Sequence, residues 1–124
     1  MSVGPRDRAQ LGAVIASRRE GLRRRLDVTQ TQLVDIRHAR SDGTADDEHD
    51  PEGSTLSIEW SRAEGQREEA ERELAELDAA HDRLAADEYG LCADCGEAIP
   101  LERLQLLPAA LRCVPCASTE TPRR

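Results

Sequence analysis

The 124-residue sequence has no phenylalanine and no lysine, and it has only one tryptophan and one tyrosine. Leu, Ile and Val together supply 23 residues, which is less than a fifth of the chain. So few large apolar side chains cannot fill the core of an α/β enzyme or a β-sandwich. At a formal net charge of −8, this composition is otherwise typical of a disordered chain.

Helix-forming residues are abundant. Ala, Glu, Leu and Arg make up 62 of the 124 residues, which is typical of long helices and coiled coils. Residues 6–40 are predicted to form the first helix, with Pro5 suited to its first turn. Its buried positions step by four and three residues, the spacing of one narrow stripe. The stripe comprises Leu11, Ile15, Leu22, Leu26, Thr29, Leu33 and Ile36. A run of arginines on the other faces (Arg18, Arg19, Arg23, Arg24 and Arg25) is interpreted as a solvated flank, with a partner or phosphate site as the alternative.

A second helix is predicted to end near Glu88. Ser54 or Thr55 can cap its start, and Ser61 with Glu64 forms an alternative capping box. Its seam alternates steps of four and three through Ala63, Arg67, Ala70, Leu74, Leu77, His81 and Leu84. The interpretation of Arg67 is a side chain that extends along the seam to solvent, and that of His81 is a partly open seam position.

The segment between the helices, residues 41–53, is polar and contains two glycines, one proline and six acidic residues, so a loop is predicted there. A short loop between helices of similar length favours an antiparallel hairpin over residues 1–90, with an acidic tip near 41–55. The same heptads are also compatible with pairing between two chains. The predicted fold class is mainly α, an antiparallel helical hairpin or coiled coil followed by a small four-cysteine zinc finger.

Charge is unevenly distributed along the chain. Residues 1–40 carry a net charge of +5, residues 41–91 carry −13, and residues 92–124 sum to zero. Sequence-specific nucleic-acid binding is not expected, because affinity for DNA depends on concentrated positive charge. The acidic middle segment instead predicts a basic partner surface or a metal ion.

The four cysteines form two close pairs, Cys92 with Cys95 and Cys113 with Cys116, separated by seventeen residues. This spacing predicts four thiolate ligands to one structural zinc ion, since four protein ligands leave no open position for catalysis. Gly96 suits the tight turn of the first knuckle. The predicted finger spans residues 91–117, is followed by a polar tail at 118–124, and is covered by Leu101, Leu104, Leu106, Leu107 and Leu111. Two disulfides are the alternative.

The sequence around the cysteines resembles the C4-type zinc finger of the DksA/TraR family. The resemblance rests on the four cysteines and on residues at fixed offsets from them: Tyr89, Gly90, Gly96, Ile99, Arg103, Leu104, Pro108, Ala110 and Glu120. It implies a bacterial transcription regulator that binds RNA polymerase through its secondary channel. In the family, an acidic coiled-coil tip reaches toward the polymerase active site, and the protein does not bind DNA specifically.

By this resemblance, the tip residues are Asp46, Asp47, Glu48, Asp50 and Glu52. The family's D-x-x-D-x-A tip pattern is not reproduced here, because residues 50–55 read Asp-Pro-Glu-Gly-Ser-Thr. Arg103 is a candidate contact to the channel rim, with a structural salt bridge as the alternative. A site for the alarmone ppGpp is not predicted, because residues 64–78 contain seven acidic residues and only two arginines.

The leading hypothesis is therefore a non-enzymatic, cytoplasmic regulator that binds RNA polymerase and one structural zinc ion. A signal peptide and a membrane span are not expected. One alternative is a zinc-stabilised module that binds a different basic partner. Another is a thiol switch that releases zinc on oxidation. No catalytic constellation of side chains is recognisable.

Overall fold

The computed structural model describes residues 3–42 and 51–119. Over these residues the fold is mainly helical, as predicted, with α1 (Pro5–Asp42), α2 (Pro51–Ala85), α3 (Leu101–Leu106) and α4 (Val114–Ser118). An antiparallel bridge joins Leu91 and Ala98. None of the described helices combines the length and the apolar character needed to cross a membrane.

Helix α1 agrees with the predicted 6–40 within two residues, whereas the ends of α2 differ from the predicted ones. Helix α2 begins at Pro51, so Ser54, Thr55 and Ser61 lie inside the helix and do not cap it. Proline suits a first helical position, because its missing N–H has no intrahelical partner there. The C-terminal end falls at Ala85 and not near Glu88, since Asp87 adopts a left-handed backbone conformation with φ of 64°. The predicted tip residues Asp46, Asp47, Glu48 and Asp50 lie outside the described residues, and Glu52 lies in the first turn of α2.

The described chain divides into two compact units, each containing part of α1 and part of α2. The first unit contains the chain up to Arg19 and the chain from Ala75 onward. In this unit the two helices are antiparallel, because Gly12 faces Leu84 and Arg19 donates to Asp78 at 2.8 Å. Its buried apolar residues on the helices are Leu11, Ile15, Leu77, Ala80, Leu84 and Leu104, and Tyr89, Cys92, Ile99 and Pro108 are buried outside the helices.

His81 lies at a partly open position between the two helices of this unit, where it lines one cavity with Gly12 and Ala16 of α1. Its side chain is 49 % exposed, with Nδ1 3.6 Å from a carboxylate oxygen of Asp82, whereas the preceding Ala80 is fully buried. Leu77 and Leu84, the stripe positions on either side of His81, are buried, so the predicted stripe continues toward this end of α2.

The second unit, Glu20–Leu74, is also an antiparallel helix pair. Arg40 lies 3.4 Å from the Ser57 hydroxyl, and the Arg37 guanidinium lies 5.9 Å from the centre of the Trp60 ring. Its buried positions follow the predicted stripes: Leu22, Thr29, Leu33 and Ile36 on α1, and Ala63 and Ala70 on α2. Arg67 is only partly buried and pairs with two glutamates of its own helix, which agrees with a side chain extending from the seam.

Thr29 is the polar residue in this buried stripe and is 2 % exposed. Its hydroxyl donates to the carbonyl oxygen of Arg25 at 2.9 Å, within its own helix.

We expect Thr29→Val to raise the free energy of unfolding by about 0.5–1 kcal/mol, because a methyl group replaces the buried hydroxyl while the Arg25 carbonyl lies within the continuous helix. Chemical denaturation of Thr29→Val measures the change, with the exposed Thr31→Val as control. Equal stability changes in the two variants would contradict the expectation.

Candidate metal centre

The first cysteine knuckle is shaped by its backbone. The Cys92 N–H donates to the Glu97 carbonyl at 2.8 Å, and the Gly96 N–H donates to the Cys92 carbonyl at 3.0 Å. Closing this turn requires a positive φ at Gly96, where the value is 77°. Glycine adopts that conformation without a steric penalty, so the residue predicted for the turn has the required geometry.

The second knuckle leads directly into a short helix. Cys113 is the N-terminal cap of α4, and Pro115 lies in its first turn. A backbone hydrogen bond of 2.7 Å from the Ala93 N–H to the Leu111 carbonyl joins the segment of the second knuckle to that of the first. The two halves of the motif, seventeen residues apart in sequence, are thereby brought side by side.

The four cysteine sulfurs form one cluster. All four lie within 4.8 Å of one another, and the Sγ atoms of Cys95 and Cys113 are 3.8 Å apart. Four thiolates around one zinc ion, with Zn–S bonds of about 2.3 Å, place their sulfurs about 3.8 Å apart. No disulfide joins any of these cysteines, so the alternative of two disulfides finds no support. The donor set and its spacing suit one structural zinc ion.

The protonation preferences of the sulfurs indicate why a cation is needed. Hydrogen bonds from backbone N–H groups, foremost that of Cys95, lower the pKa of Cys92 to about 6. The neighbouring sulfurs, foremost that of Cys113, raise the pKa of Cys116 to about 12. The backbone thus stabilises one thiolate, whereas crowding opposes a second one nearby. A divalent cation at the centre removes this conflict.

The support beneath the cluster rests on one aromatic residue and two apolar residues. Tyr89 is 2 % exposed, and its hydroxyl donates to the Pro108 carbonyl at 2.7 Å. Burial raises the pKa of this hydroxyl, and the charge of Arg83 partly offsets the rise. Leu104 and Pro108 are fully buried beside the segments that carry the cysteines.

The predicted leucine cover is only partly correct. Leu104 is buried and Leu101 partly buried, whereas Leu106, Leu107 and Leu111 are at least half exposed. Helix α3 has only six residues, so it buries the single face that carries positions 101 and 104.

Arg103 has an internal role. Its Nε donates to the Arg112 carbonyl at 2.8 Å, which ties α3 to the segment before the second knuckle. No salt bridge involving Arg103 is found among the described residues. Sequence reasoning also missed the ion pair of 3.0 Å between Arg112 and Asp94. The ion pair could have been predicted, because the two residues have opposite charges and each lies beside one of the knuckles.

The arginines of the predicted basic flank on α1 fall into two groups, one that contacts other segments and one that is exposed to solvent. In the first unit, Arg19 pairs with Asp78, and Arg18 donates to the Leu106 carbonyl at 3.2 Å. In the second unit, Arg23, Arg24 and Arg25 are exposed, and Arg24 lies 3.5 Å from Glu20 of the same helix. The interpretation of a solvated flank therefore applies to the second group.

Comparisons with known proteins agree with this geometry. Residues 87–122 match the family model described as the prokaryotic dksA/traR C4-type zinc finger. The fold is similar to that of the transcription factor DksA2 from Pseudomonas aeruginosa, with a TM-score of 0.80 at 22 % sequence identity. The match covers 94 % of this chain and 84 % of that chain. No curated protein matches the sequence significantly. Residues 87–122 thus match the dksA/traR C4-type zinc finger, in a chain whose fold is similar to that of DksA2.

Proposed function

We propose that this protein is a transcription regulator of the DksA/TraR type, which binds RNA polymerase through its secondary channel. The observation that carries the proposal is the combination of a dksA/traR zinc finger at residues 87–122 with a DksA2-like fold over 94 % of the chain. Either feature alone is weaker support, since small zinc modules and helix pairs both occur with many functions.

The zinc ion has a structural role in this proposal. Cys92, Cys95, Cys113 and Cys116 are the ligands, and they leave no open coordination position for a substrate or a reactive water. We propose that the zinc ion takes no part in catalysis and that the protein acts by binding. Its place of action is the cytoplasm, where bacterial RNA polymerase works.

The acidic tip is the proposed effector. Asp46, Asp47, Glu48, Asp50 and Glu52 contribute to the net charge of −13 on residues 41–91. A concentration of negative charge suits a basic surface inside a polymerase channel, where charge complementarity governs both approach and register. Arg103, with its remaining N–H donors, is the proposed contact to the channel rim. We propose no role for ppGpp, given the acidic character of residues 64–78.

Binding to purified core RNA polymerase and in vitro transcription test this proposal. We expect the zinc-loaded chain to bind core polymerase and to change transcript yield, with and without ppGpp. Changing the five tip acids to Asn or Gln should reduce the effect about tenfold or more, because charged contacts buried at an interface contribute several kcal/mol. The matched control neutralises five exposed acids elsewhere: Glu59, Glu68, Glu69, Glu73 and Glu88.

The control variant should behave nearly as the native chain does. Failure to bind polymerase contradicts the proposal, and so does an effect that is indifferent to the charge of the tip. An effect that depends on ppGpp would retain the partner and remove the statement about the alarmone.

A second candidate function is an interaction module for a different partner. The observation that favours it is a set of large aliphatic side chains that the finger leaves at least 45 % exposed: Leu91, Leu106, Leu107, Leu111 and Val114. Exposed apolar residues in such number commonly mark a protein-binding surface. A pull-down in which Leu106→Ser and Leu107→Ser release a non-polymerase partner would favour this candidate, whereas recovery of polymerase subunits alone would argue against it.

A further inference from the structure

The end of α3 carries an exposed aliphatic side chain on a firmly held backbone. Leu107 is 50 % exposed and directly precedes Pro108, which is fully buried. The Leu107 N–H donates to the Arg103 carbonyl at 2.7 Å, and the Leu107 carbonyl accepts from the Ala110 N–H at 2.9 Å. Because the backbone is held on both sides, little conformational entropy is lost when a partner covers this side chain.

A cavity of about 290 Å³ lies in the first unit, close to Leu107 in sequence. Arg103 and Ala109 line it, four residues before and two residues after Leu107, so the side chain and the cavity belong to one region of the surface. The apolar part of the lining is one leucine and three alanines: Leu111, Ala79, Ala109 and Ala117. A cavity of about 150 Å³ already accommodates benzene, so this one has room for a leucine side chain.

One hydrogen-bond donor of a residue that lines the cavity lacks an acceptor. The Nη2 atom of Arg83 has almost no accessible surface and no partner within residues 3–42 and 51–119. A guanidinium N–H in this situation is energetically costly. The cavity therefore favours an occupant that presents a carbonyl together with an aliphatic side chain. The end of α3 has both, because a six-residue helix leaves its last carbonyls without partners in the helix.

The charges around Leu107 and the cavity balance. Three acidic and three basic side chains lie on the contributing segments: Glu76, Asp94, Glu102, Arg83, Arg103 and Arg112. At a net charge of −8, two copies of the chain repel each other overall. Contact through a face of balanced charge avoids most of that repulsion, and it allows acidic groups of one copy to approach basic groups of the other.

We propose that this face binds a second copy of the chain, with Leu107 of each copy seated in the cavity of the other. A two-fold axis makes the contact reciprocal, because each copy supplies both the side chain and the cavity. Leu111, which is 51 % exposed and lines the cavity, is covered in the same contact. This pairing requires no RNA polymerase and concerns the zinc-loaded chain alone.

Sedimentation velocity of the zinc-loaded full chain, over protein concentrations of about 1–300 µM, tests the pairing. We expect the measured mass to rise with concentration from that of one chain to that of two, and to stop there, because a two-fold contact closes on itself. The mass of a single chain at every concentration would overturn the proposal, and so would growth beyond two chains.

Two substitutions test the side chain and the cavity separately. Leu107→Ser removes the inserted side chain and should raise the dissociation constant of the dimer about tenfold or more, the loss expected when a buried leucine becomes polar. Ala79→Gln narrows the cavity from the α2 side, outside the finger, and should also raise the dissociation constant about tenfold, because the leucine no longer fits. A two-fold contact contains each substitution twice, which enlarges both effects.

The matched controls are Val28→Ser and Ala86→Gln. Val28 is 57 % exposed in the second unit, and Ala86 is exposed in the first unit away from the cavity lining. Both controls should form dimers as the native chain does. A native dissociation constant in Leu107→Ser, or an equal rise in Val28→Ser, would overturn the proposal. Ala79→Gln keeps the test decisive if Leu107→Ser folds poorly. Polymerase binding has no bearing on sedimentation of the isolated chain, so the two proposals fail separately.

Discussion

Cys92→Ser is expected to abolish zinc binding and to unfold the finger. Measured zinc content should fall from one ion per chain toward none. Structural zinc sites contribute on the order of 10 kcal/mol of apparent free energy at neutral pH, comparable with the whole stability of a small domain. Without zinc, the first unit is stabilised only by its few buried large apolar side chains, which cannot compensate for this loss.

Hydrogen exchange locates the damage. The N–H groups of Cys92, Ala93 and Ile99, which form the hydrogen bonds within and between the knuckle segments, should lose protection in the variant. Amides of α1 and α2 within Glu20–Leu74 should keep most of theirs, because that unit contains no cysteine. Ala93→Ser introduces the same hydroxyl next to the ligand without removing a sulfur, and it should retain zinc. Unchanged zinc content in Cys92→Ser would show that the sulfur is not a ligand.

Leu104→Ala is expected to be the most damaging single change in the apolar support of the finger. Leu104 is 1 % exposed, and truncating a fully buried leucine costs about 2–5 kcal/mol through lost burial and the cavity left behind. Leu106→Ala, two residues later in the same helix, is the matched control because Leu106 is 71 % exposed. In chemical denaturation of the zinc-loaded protein, the control should lose less than about 0.5 kcal/mol of its free energy of unfolding.

The two leucines therefore separate burial from helix propensity, which is the same for both substitutions. Similar losses in Leu104→Ala and Leu106→Ala would mean that α3 does not bury the face described above. A large loss for Leu106→Ala alone would indicate that this exposed side chain is covered by another chain in solution.

The buried stripe of α1 and the turn of the first knuckle could be predicted from short sequence patterns. The positions from Leu11 to Ile36 on α1 follow a four-and-three spacing, and all but Leu26 in that stripe are buried. The knuckle turn at Gly96 was likewise predictable, because a C-x2-C turn requires a positive φ and glycine supplies it. Both inferences depend only on residues within a few positions of one another.

Features that depend on distant contacts were not predictable in the same way. The exposure of Leu106, Leu107 and Leu111 depends on how α3 is fixed in the unit. Two hydrogen bonds fix this region: Arg103 donates to the Arg112 carbonyl, 9 residues away, and Tyr89 donates to the Pro108 carbonyl, 19 residues away. The start of α2 at Pro51 was not predictable, because three residues further along the chain were also plausible helix caps. Arg83, Arg103 and Arg112 line one cavity of the first unit, and no spacing in the sequence signals that convergence.

The division of the chain into two units has a consequence for synthesis. The first unit joins the N-terminal part of α1 to segments after Ala75, through contacts such as Arg8 with Asp87 and Arg18 with Leu106, which are 79 and 88 residues apart. The second unit contains pairs as close as 17 residues, as between Arg40 and Ser57. Contacts that close short loops form faster. On the ribosome, the helix segments within Glu20–Leu74 can pair first, whereas the residues before Glu20 can pair only after the segments beyond Ala75 have been synthesised.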